Sequence, residues 1–299
     1  MKKISLIIAF LICFVTHNAC SQITEQKTNA YLKILTTSYP DYAPFSYIEG
    51  DYAYTRLVSI FSQALNDVLK SNNIDTLYES SRDYEQNIEK SRSGLYDIVM
   101  GVYNETQNGP KNFEHLEYIF PAILQNPVSL VMLNGKQSTI SSYEDLKKLK
   151  GIYISQEYFS DYVLERFSDL NITSVDTIKD AYEKLFLGQV DYIVGSYYYQ
   201  YVAAIQNGVK NYLSFSKKPI WHMPMFIGIS KNSKNFNRLK ILLSKQITNS
   251  NFTQKVKEEL KNQVKIFEQK NIGLVPPGFI LEQNSKTSTI EEKTTDKDN

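Results

Sequence analysis

Gly94-Leu95-Tyr96-Asp97-Ile98-Val99-Met100-Gly101 and, later in the chain, Gly188-Gln189-Val190-Asp191-Tyr192-Ile193-Val194-Gly195 share one pattern. In each, a glycine ends a helix, an aspartate follows three residues on, and an apolar run closes on a second glycine. The run Asp97 to Val102 is almost continuously apolar, the mark of a strand buried on both faces. Val190 to Gly195 is of the same kind. We read the pair as one strand unit used once in each of two lobes.

Strand and helix patterns alternate around both copies. Residues 32–37 predict a strand, and Leu57, Val58, Phe61, Leu65, Val68 and Leu69 give helical spacing over Thr55 to Lys70. Ile74 to Tyr78 predicts a second strand, and Tyr84 to Ser93 a polar helix ending at Gly94. Pro127 to Leu133 reads as a strand crossing into a new region. Ser141, with Glu144 three residues later, is a helix-capping signal. Gly151 to Ser155 predicts a strand, Ser160 a cap for a helix over Asp161 to Phe167, and Ile178 to Phe186 a helix stopped by Gly188. Met225 to Ile229 predicts the second crossing strand, followed by helical material from Asn235 to Leu260. Such alternation implies an α/β fold with parallel sheets covered by helices.

Composition narrows the function. Of 299 residues, 42% are hydrophobic and 22% charged, enough for a sizeable core and about two domains. Lys and Arg (33) balance Asp and Glu (32), so no global field favours nucleic acid or an anionic membrane surface. Met1-Lys2-Lys3 followed by the apolar run Ile4 to Val15 has the form of a secretory signal peptide, and the run is shorter than the roughly 20 residues of a membrane span. Two cleavage readings stand side by side. Asn18-Ala19-Cys20 fits a lipoprotein site with Cys20 as the lipidated first residue, although His17 sits where an aliphatic residue is expected. Ala19-Cys20-Ser21 fits cleavage before Gln22. The other cysteine, Cys13, lies in the signal, so no disulfide is expected and the core must carry stability. Residues 284–299 are polar and charged, the composition of a disordered tail.

The richest local feature is the loop after the first strand. Tyr39, Tyr42, Phe45 and Tyr47 are interleaved there with Pro40 and Pro44. Rings held by prolines at a strand end form a preformed stacking surface where α/β sheets bind ligands.

Taken together, these segments resemble the type II periplasmic solute-binding proteins, in particular the polar amino acid branch (family 3) that serves ABC importers. Tyr42-Ala43-Pro44-Phe45 is similar to that family's opening loop, Gly94-x-x-Asp97-Ile98-Val99 to the strand before its carboxylate-binding segment, and Tyr118-Ile119-Phe120-Pro121 to the element before its hinge. Tyr143-Glu144-Asp145-Leu146-Lys147 with Gly151, and Gly188-x-x-Asp191, complete the set over roughly residues 31–270. The resemblance implies a two-lobed clamp, each lobe a mostly parallel sheet flanked by helices, with two crossing strands as hinge. Residues 1–21 would be the signal peptide, 31–126 plus 226–280 lobe one, and 127–225 lobe two.

The chemistry departs from the family where it holds an amino acid. The family's Arg after the first strand unit, a bidentate carboxylate partner, has no counterpart in Val102 to Lys111, where Lys111 is the only cation. The family's acidic partner for the α-ammonium is Ser196 here. Its anion-binding Gly-Ser/Thr turn is Gln156-Glu157-Tyr158-Phe159-Ser160, in which Glu157 would repel a carboxylate. The candidate ligand residues are then Tyr42, Phe45, Tyr103, Asn104, Lys111, Tyr158, Ser160, Ser196 and Tyr197. They suit an uncharged, ring-bearing solute. The run Tyr197 to Tyr201 has a plainer reading as lobe packing.

His115 and His222 have no metal-spaced partner, so neither a metal nor a cofactor is expected. The expectation is an exported monomeric binding protein that delivers a small molecule to an ABC permease, with no nucleic-acid partner and no catalytic residue. Two alternatives accompany it. One is an enzyme resembling the cyclohexadienyl dehydratases, with Glu105 or Glu157 as a cleft general acid, although the plainer reading of each is a surface residue; the other is an envelope interaction protein that has lost its ligand.

Overall fold

The computed structural model describes residues 32–36, 41–49, 56–79, 89–103, 114–136, 140, 142–155, 157, 164–165, 167–248, 251–272 and 274. Its centre is a mixed sheet in the order β5-β1-β6-β12-β7-β10-β8-β9, with β11 paired to β7. The strands are β1 (Leu32–Thr36), β5 (Thr76–Glu79), β6 (Ile98–Tyr103), β7 (Leu116–Leu133), β8 (Gly151–Ile154), β9 (Ile172–Val175), β10 (Tyr192–Ser196), β11 (Leu213–Phe215) and β12 (Trp221–Ser230). A small antiparallel sheet of β2 (Asp41–Tyr42), β3 (Ser46–Glu49) and β4 (Arg56–Ser59) carries the aromatic loop.

The two strand units occupy matching places. β1 lies parallel between β5 and β6, and β8 lies parallel between β9 and β10. β6 then pairs antiparallel with β12, and β10 antiparallel with β7. The aspartates do the same work in both. Asp97 Oδ2 accepts the Lys33 amide at 3.0 Å, and Asp191 Oδ2 accepts the Lys150 amide at 2.9 Å. The Asp97 and Asp191 amides return bonds to the Lys33 and Lys150 carbonyls at 2.8 and 2.7 Å. Each aspartate thus fastens its strand to the start of its parallel neighbour. The glycines that precede them, Gly94 and Gly188, have φ of +72° and +68°, a left-handed helix stop that side chains disfavour.

β7 and β12 join the two halves. β12 pairs with β7 from Trp221↔Val128 to Ser230↔Leu116. β6 runs so that its last residue, Tyr103, lies beside Met225, which pairs with Leu124 of β7. β10 runs the opposite way and ends with Ser196 beside Val128. The C-terminal ends of both parallel sets therefore converge on the short stretch Leu124–Val128.

Helices α1 (Ile60–Lys70), α2 (Tyr143–Leu146), α3 (Ile178–Phe186), α4 (Tyr197–Gln206), α5 (Phe236–Thr248) and α6 (Asn251–Lys270) cover the sheet. β10 is buried on both faces: Tyr192 and Val194 join the larger apolar cluster, which also holds Ile34, Ile98, Phe61 and Leu239, while Ile193 joins a second one with Ile152, Ile154 and Tyr182. The larger cluster runs without a break from one half of the sheet to the other. Among the described residues, no helix is long and apolar enough to cross a membrane.

Several boundaries differ from the sequence reading. Residues 56–59 are strand rather than the first turn of a helix, because they pair with β3 from Ser46↔Ser59 to Glu49↔Arg56; helix α1 starts only after Ser59 turns out of the ladder. Four apolar-rich residues fit either period, and the hairpin partner decides. The first crossing strand begins at Leu116, not Pro127, and the second at Trp221. The helix near residue 143 is capped by Ser142, whose amide donates to Asp145 Oδ2 at 2.9 Å, in place of Ser141 with Glu144. Strand β9 was not expected; its Ile-Thr-Ser-Val sequence is too short and polar to register as apolar alternation.

Candidate functional site

The convergence of strand ends over Leu124–Val128 is the place where an α/β sheet of this kind presents loops to a ligand. At its heart is a carboxyl group. Glu157, three residues beyond the end of β8, is only 2% exposed, contrary to the surface position expected for it. Its Oε2 accepts the Ser196 amide at 2.7 Å, and its Oε1 accepts from Gln200 Nε2. Ser196 Oγ donates to Asn126 Oδ1 at 2.9 Å, tying the end of β10 to the middle of β7. The Tyr182 hydroxyl donates to the Gln200 carbonyl at 3.0 Å. Glu157, Ser196, Gln200 and Asn126 are all buried.

Burial governs the charge of this acid. Removal from water pushes the Glu157 carboxyl up to about 8, against the opposing pull of the Ser196 amide and the Gln200 side chain. At neutral pH the carboxyl is therefore mostly protonated and has an O–H to donate. Gln200 Oε1 is buried without a hydrogen-bond partner among the described residues. Space for the acid comes from Gly195. A Cβ built there would overlap Glu157 Oε1 and stand 2.6 Å from Gln200 Nε2.

The second feature is aromatic. Tyr42 stacks on Phe45 (centroids 5.2 Å apart) and on Tyr199 of α4 (4.8 Å); Phe45 meets Tyr198 edge-on at 6.0 Å and Phe61 in parallel at 6.4 Å. Tyr42 is 8% and Phe45 0% exposed, so the loop's rings lie packed against α4 rather than facing an open groove. Around this seam, Ala43 packs with Val202 and Phe267, Tyr47 donates to Gln263 Oε1 at 2.6 Å, and Tyr201 donates to Glu268 Oε1 at 2.6 Å. Helix α6 thus touches both the aromatic loop and α4.

The expected site residues are therefore partly regrouped. Tyr42 and Phe45 do come together. Ser196 is present, with its amide donating to Glu157 and its hydroxyl to Asn126. Tyr197 points elsewhere: it stacks on Tyr201 at 5.7 Å and meets Phe215 edge-on at 5.8 Å. Tyr197 and Tyr201, four residues apart, share one face of α4, and Tyr198 and Tyr199 meet the loop instead. Tyr103 ends β6, and its side chain lies outside the described residues, as do Asn104, Glu105, Lys111, Tyr158, Ser160 and Cys20. Among the described residues, no cluster of His, Cys, Asp or Glu is arranged to hold a metal ion.

Sequence reading missed the roles of Asn126 and Gln200, and it gave Tyr198 and Tyr199 only as members of a run that packs the lobes, without pairing them with Tyr42 and Phe45. A signal existed for Tyr198 and Tyr199 in the run Tyr197-Tyr198-Tyr199-Gln200-Tyr201, whose ring-bearing positions change faces with helical phase.

Comparison with known proteins fits this architecture. No protein-family model matches the chain, and no curated protein sequence matches it. Solved structures do. The GluR0 ligand-binding core in complex with L-glutamate superposes with a TM-score of 0.62 at 15% identity, over 79% of this chain and 99% of the other. The amino acid ABC transporter substrate-binding protein AbpA from Streptococcus pneumoniae, bound to L-arginine, gives 0.60 at 14% identity over 81% and 97%. A histidine kinase sensor domain with similarity to periplasmic binding proteins gives 0.54 at 14% identity over 84% and 100%. The chain thus has the two-lobed fold of the type II periplasmic binding proteins.

Proposed function

We propose that this chain is an exported solute-binding protein that clamps a small, uncharged, ring-bearing molecule. Residues 31–126 plus 226–280 form one lobe and 127–225 the other, with β7 and β12 as the hinge. The ligand enters when the lobes part, and it replaces Tyr199 as the stacking partner of Tyr42. Delivery to an ABC permease is the role this reading implies, from a protein lipidated at Cys20 or released by cleavage before Gln22.

One observation carries the reading: Tyr42 and Phe45, beyond the end of β1, face Tyr198 and Tyr199, beyond the end of β10, where both sets of parallel strands converge. A clamp needs matched surfaces at that place, and here both are aromatic. The preference for a neutral ligand rests on Glu157. Its carboxyl takes up the Ser196 amide and the Gln200 side chain, donors that an anionic ligand group at the N-terminus of α4 would otherwise use.

Thermal-shift screening against nucleosides, neutral sugars, aromatic acids and ordinary α-amino acids tests this directly. A neutral ring-bearing solute should stabilise the protein, and Tyr42→Ala should abolish the response. Stabilisation by an ordinary α-amino acid, lost on Lys111→Ala, would overturn the ligand class. Turnover of prephenate or arogenate, lost on Glu157→Gln, would favour the dehydratase alternative, although Glu157 is sealed from solvent in this structure.

A further inference from the structure

Away from the Glu157 network, a cavity of about 600 Å³ lies where α6 passes the crossing strands. This is within the size range of small-molecule sites. Its floor is apolar: Leu124 of β7, Ile247 of α5 and Leu260 of α6 are all buried. Its rim carries Lys257, Lys261 and His222, and no carboxylate among the described residues lines it. Gln125, Thr253 and Tyr198 supply polar groups around the same space. None of Glu157, Ser196, Asn126 or Tyr42 belongs to its lining, and Tyr198 is the one seam ring it shares.

The two lysines bring positive charge to the rim. Lys257 and Lys261 stand four residues apart, on one face of α6, where like charges repel. Among the described residues neither has a carboxylate partner, whereas Lys255 pairs with Asp67 at 3.1 Å and Lys240 with Glu117 at 2.5 Å. The acids that could have answered them on α6 are turned to other partners. Glu258 accepts from Gln254 at 2.9 Å and Glu259 from Gln263 at 2.6 Å. Thr253 adds a hydroxyl in the first turn of the 20-residue helix α6, where unsatisfied amides favour negative charge. A greasy floor under an uncompensated cationic rim is complementary to a molecule with an apolar body and a negative head.

We propose that this cavity is a second ligand site, one that binds a small organic carboxylate with an apolar ring or chain. The carboxylate lies between Lys257 and Lys261, and the apolar body rests on Leu124, Ile247 and Leu260. Its walls include both crossing strands and Tyr198, the ring that meets Phe45, so an occupant contacts elements from both halves of the sheet.

Isothermal titration of the full chain with 3-phenylpropionate, 3-phenylpropanamide and inorganic phosphate tests the site. The carboxylate should bind, with affinity falling as salt rises, while the amide and phosphate bind at least about tenfold more weakly. Lys257→Gln with Lys261→Gln should weaken 3-phenylpropionate by about tenfold or more and not lower the unliganded melting temperature. Tyr42→Ala should leave this binding intact, which separates it from the aromatic seam. Absence of carboxylate binding, equal binding of the amide or of phosphate, or binding indifferent to the double substitution would each overturn the proposal.

Discussion

The two strand units are alike in sequence, pairing and the use of their aspartates, yet their closing glycines answer different needs. Gly101 sits where β12 slips register against β6, between Phe226↔Val102 and Ile227↔Met100, and its φ is +71°. It is a glycine for backbone reasons, at a bulge. Gly195 pairs with Ser129 in an unbroken register and has no such φ. It is a glycine for space, because the Glu157 carboxyl and the Gln200 amide occupy the volume a Cβ would take. The neighbour of Gly101 is instead the Phe61 ring. One half thus ends its strand on an apolar contact and the other on a buried acid. A repeated motif preserves a conformation of the chain without preserving the chemistry beside it.

That contrast makes its strongest prediction at the glycines. Gly195→Ala forces a methyl into the Glu157–Gln200 contact and should destabilise the protein by about 3–5 kcal/mol, in the range of disrupted buried networks. Gly101→Ala should cost about 1–2 kcal/mol through its left-handed backbone, with a further small term from Phe61 at 3.0 Å. Urea unfolding of both variants gives the comparison. The Gly195→Ala penalty should shrink in a Glu157→Ala background, while that of Gly101→Ala should not. Equal penalties, or a Gly195→Ala effect indifferent to residue 157, would remove the distinction.

The buried acid separates the halves through pH as well. The Glu157 carboxyl rises from 4.5 to about 8 on folding, so the native state holds a proton that the unfolded state gives up. Stability from this group is complete below the unfolded value and declines as pH rises through the window between them, levelling off above about 8. At about 1.4 kcal/mol per pH unit, tempered by water entry and relaxation, the loss should be on the order of 3 kcal/mol. Glu157→Gln keeps the shape and the Ser196 bond without a titrating group. Its melting temperature should equal or exceed that of the parent at alkaline pH and lose most of the parent's slope across the window. A variant with the parent's slope would show that Glu157 is not the group responsible.

How far the sequence foretold these features follows the range of the interactions. The parallel strands and their glycine stops are local patterns, and both units were readable from residues 94–101 and 188–195. The pairing of Arg56–Ser59 with β3 is not local, so a helical period extended over it. The fate of Glu157 depends on Ser196 and Gln200, about forty residues away; nothing in Gln156-Glu157-Tyr158 distinguishes a sealed acid from a surface one. Tyr197 was chosen over Tyr198 and Tyr199 because three adjacent tyrosines look equivalent until the phase of α4 is known.

The aspartates allow a milder test of the symmetry. Asp97 accepts Ser233 Oγ at 2.5 Å and Asn235 Nδ2 at 3.2 Å in addition to the Lys33 amide, anchoring the chain that leads into α5. Asp191 has the Lys150 amide as its matching bond. Asp97→Ala should therefore destabilise by about 2 kcal/mol and Asp191→Ala by about 1 kcal/mol. Hydrogen exchange sharpens the difference: protection at residues 230–236 should fall only in the Asp97 variant. Equal losses would mean that the Ser233 and Asn235 contacts add nothing.

The smallest expected effect concerns what joins the halves rather than what distinguishes them. Tyr42 and Tyr199 stack with centroids 4.8 Å apart, and such a pair contributes about 1 kcal/mol beyond the area each ring buries. A double-mutant cycle of Tyr42→Leu and Tyr199→Leu isolates that term while keeping apolar volume at both places. If the seam is the surface that parts to admit a ligand, the coupling should vanish when a stabilising solute is present at saturation, because the ligand then stands between the rings. Coupling that persists in the liganded protein would make the stack a permanent part of the core. The aromatic loop would then be a structural clasp, and the ligand would have to bind elsewhere.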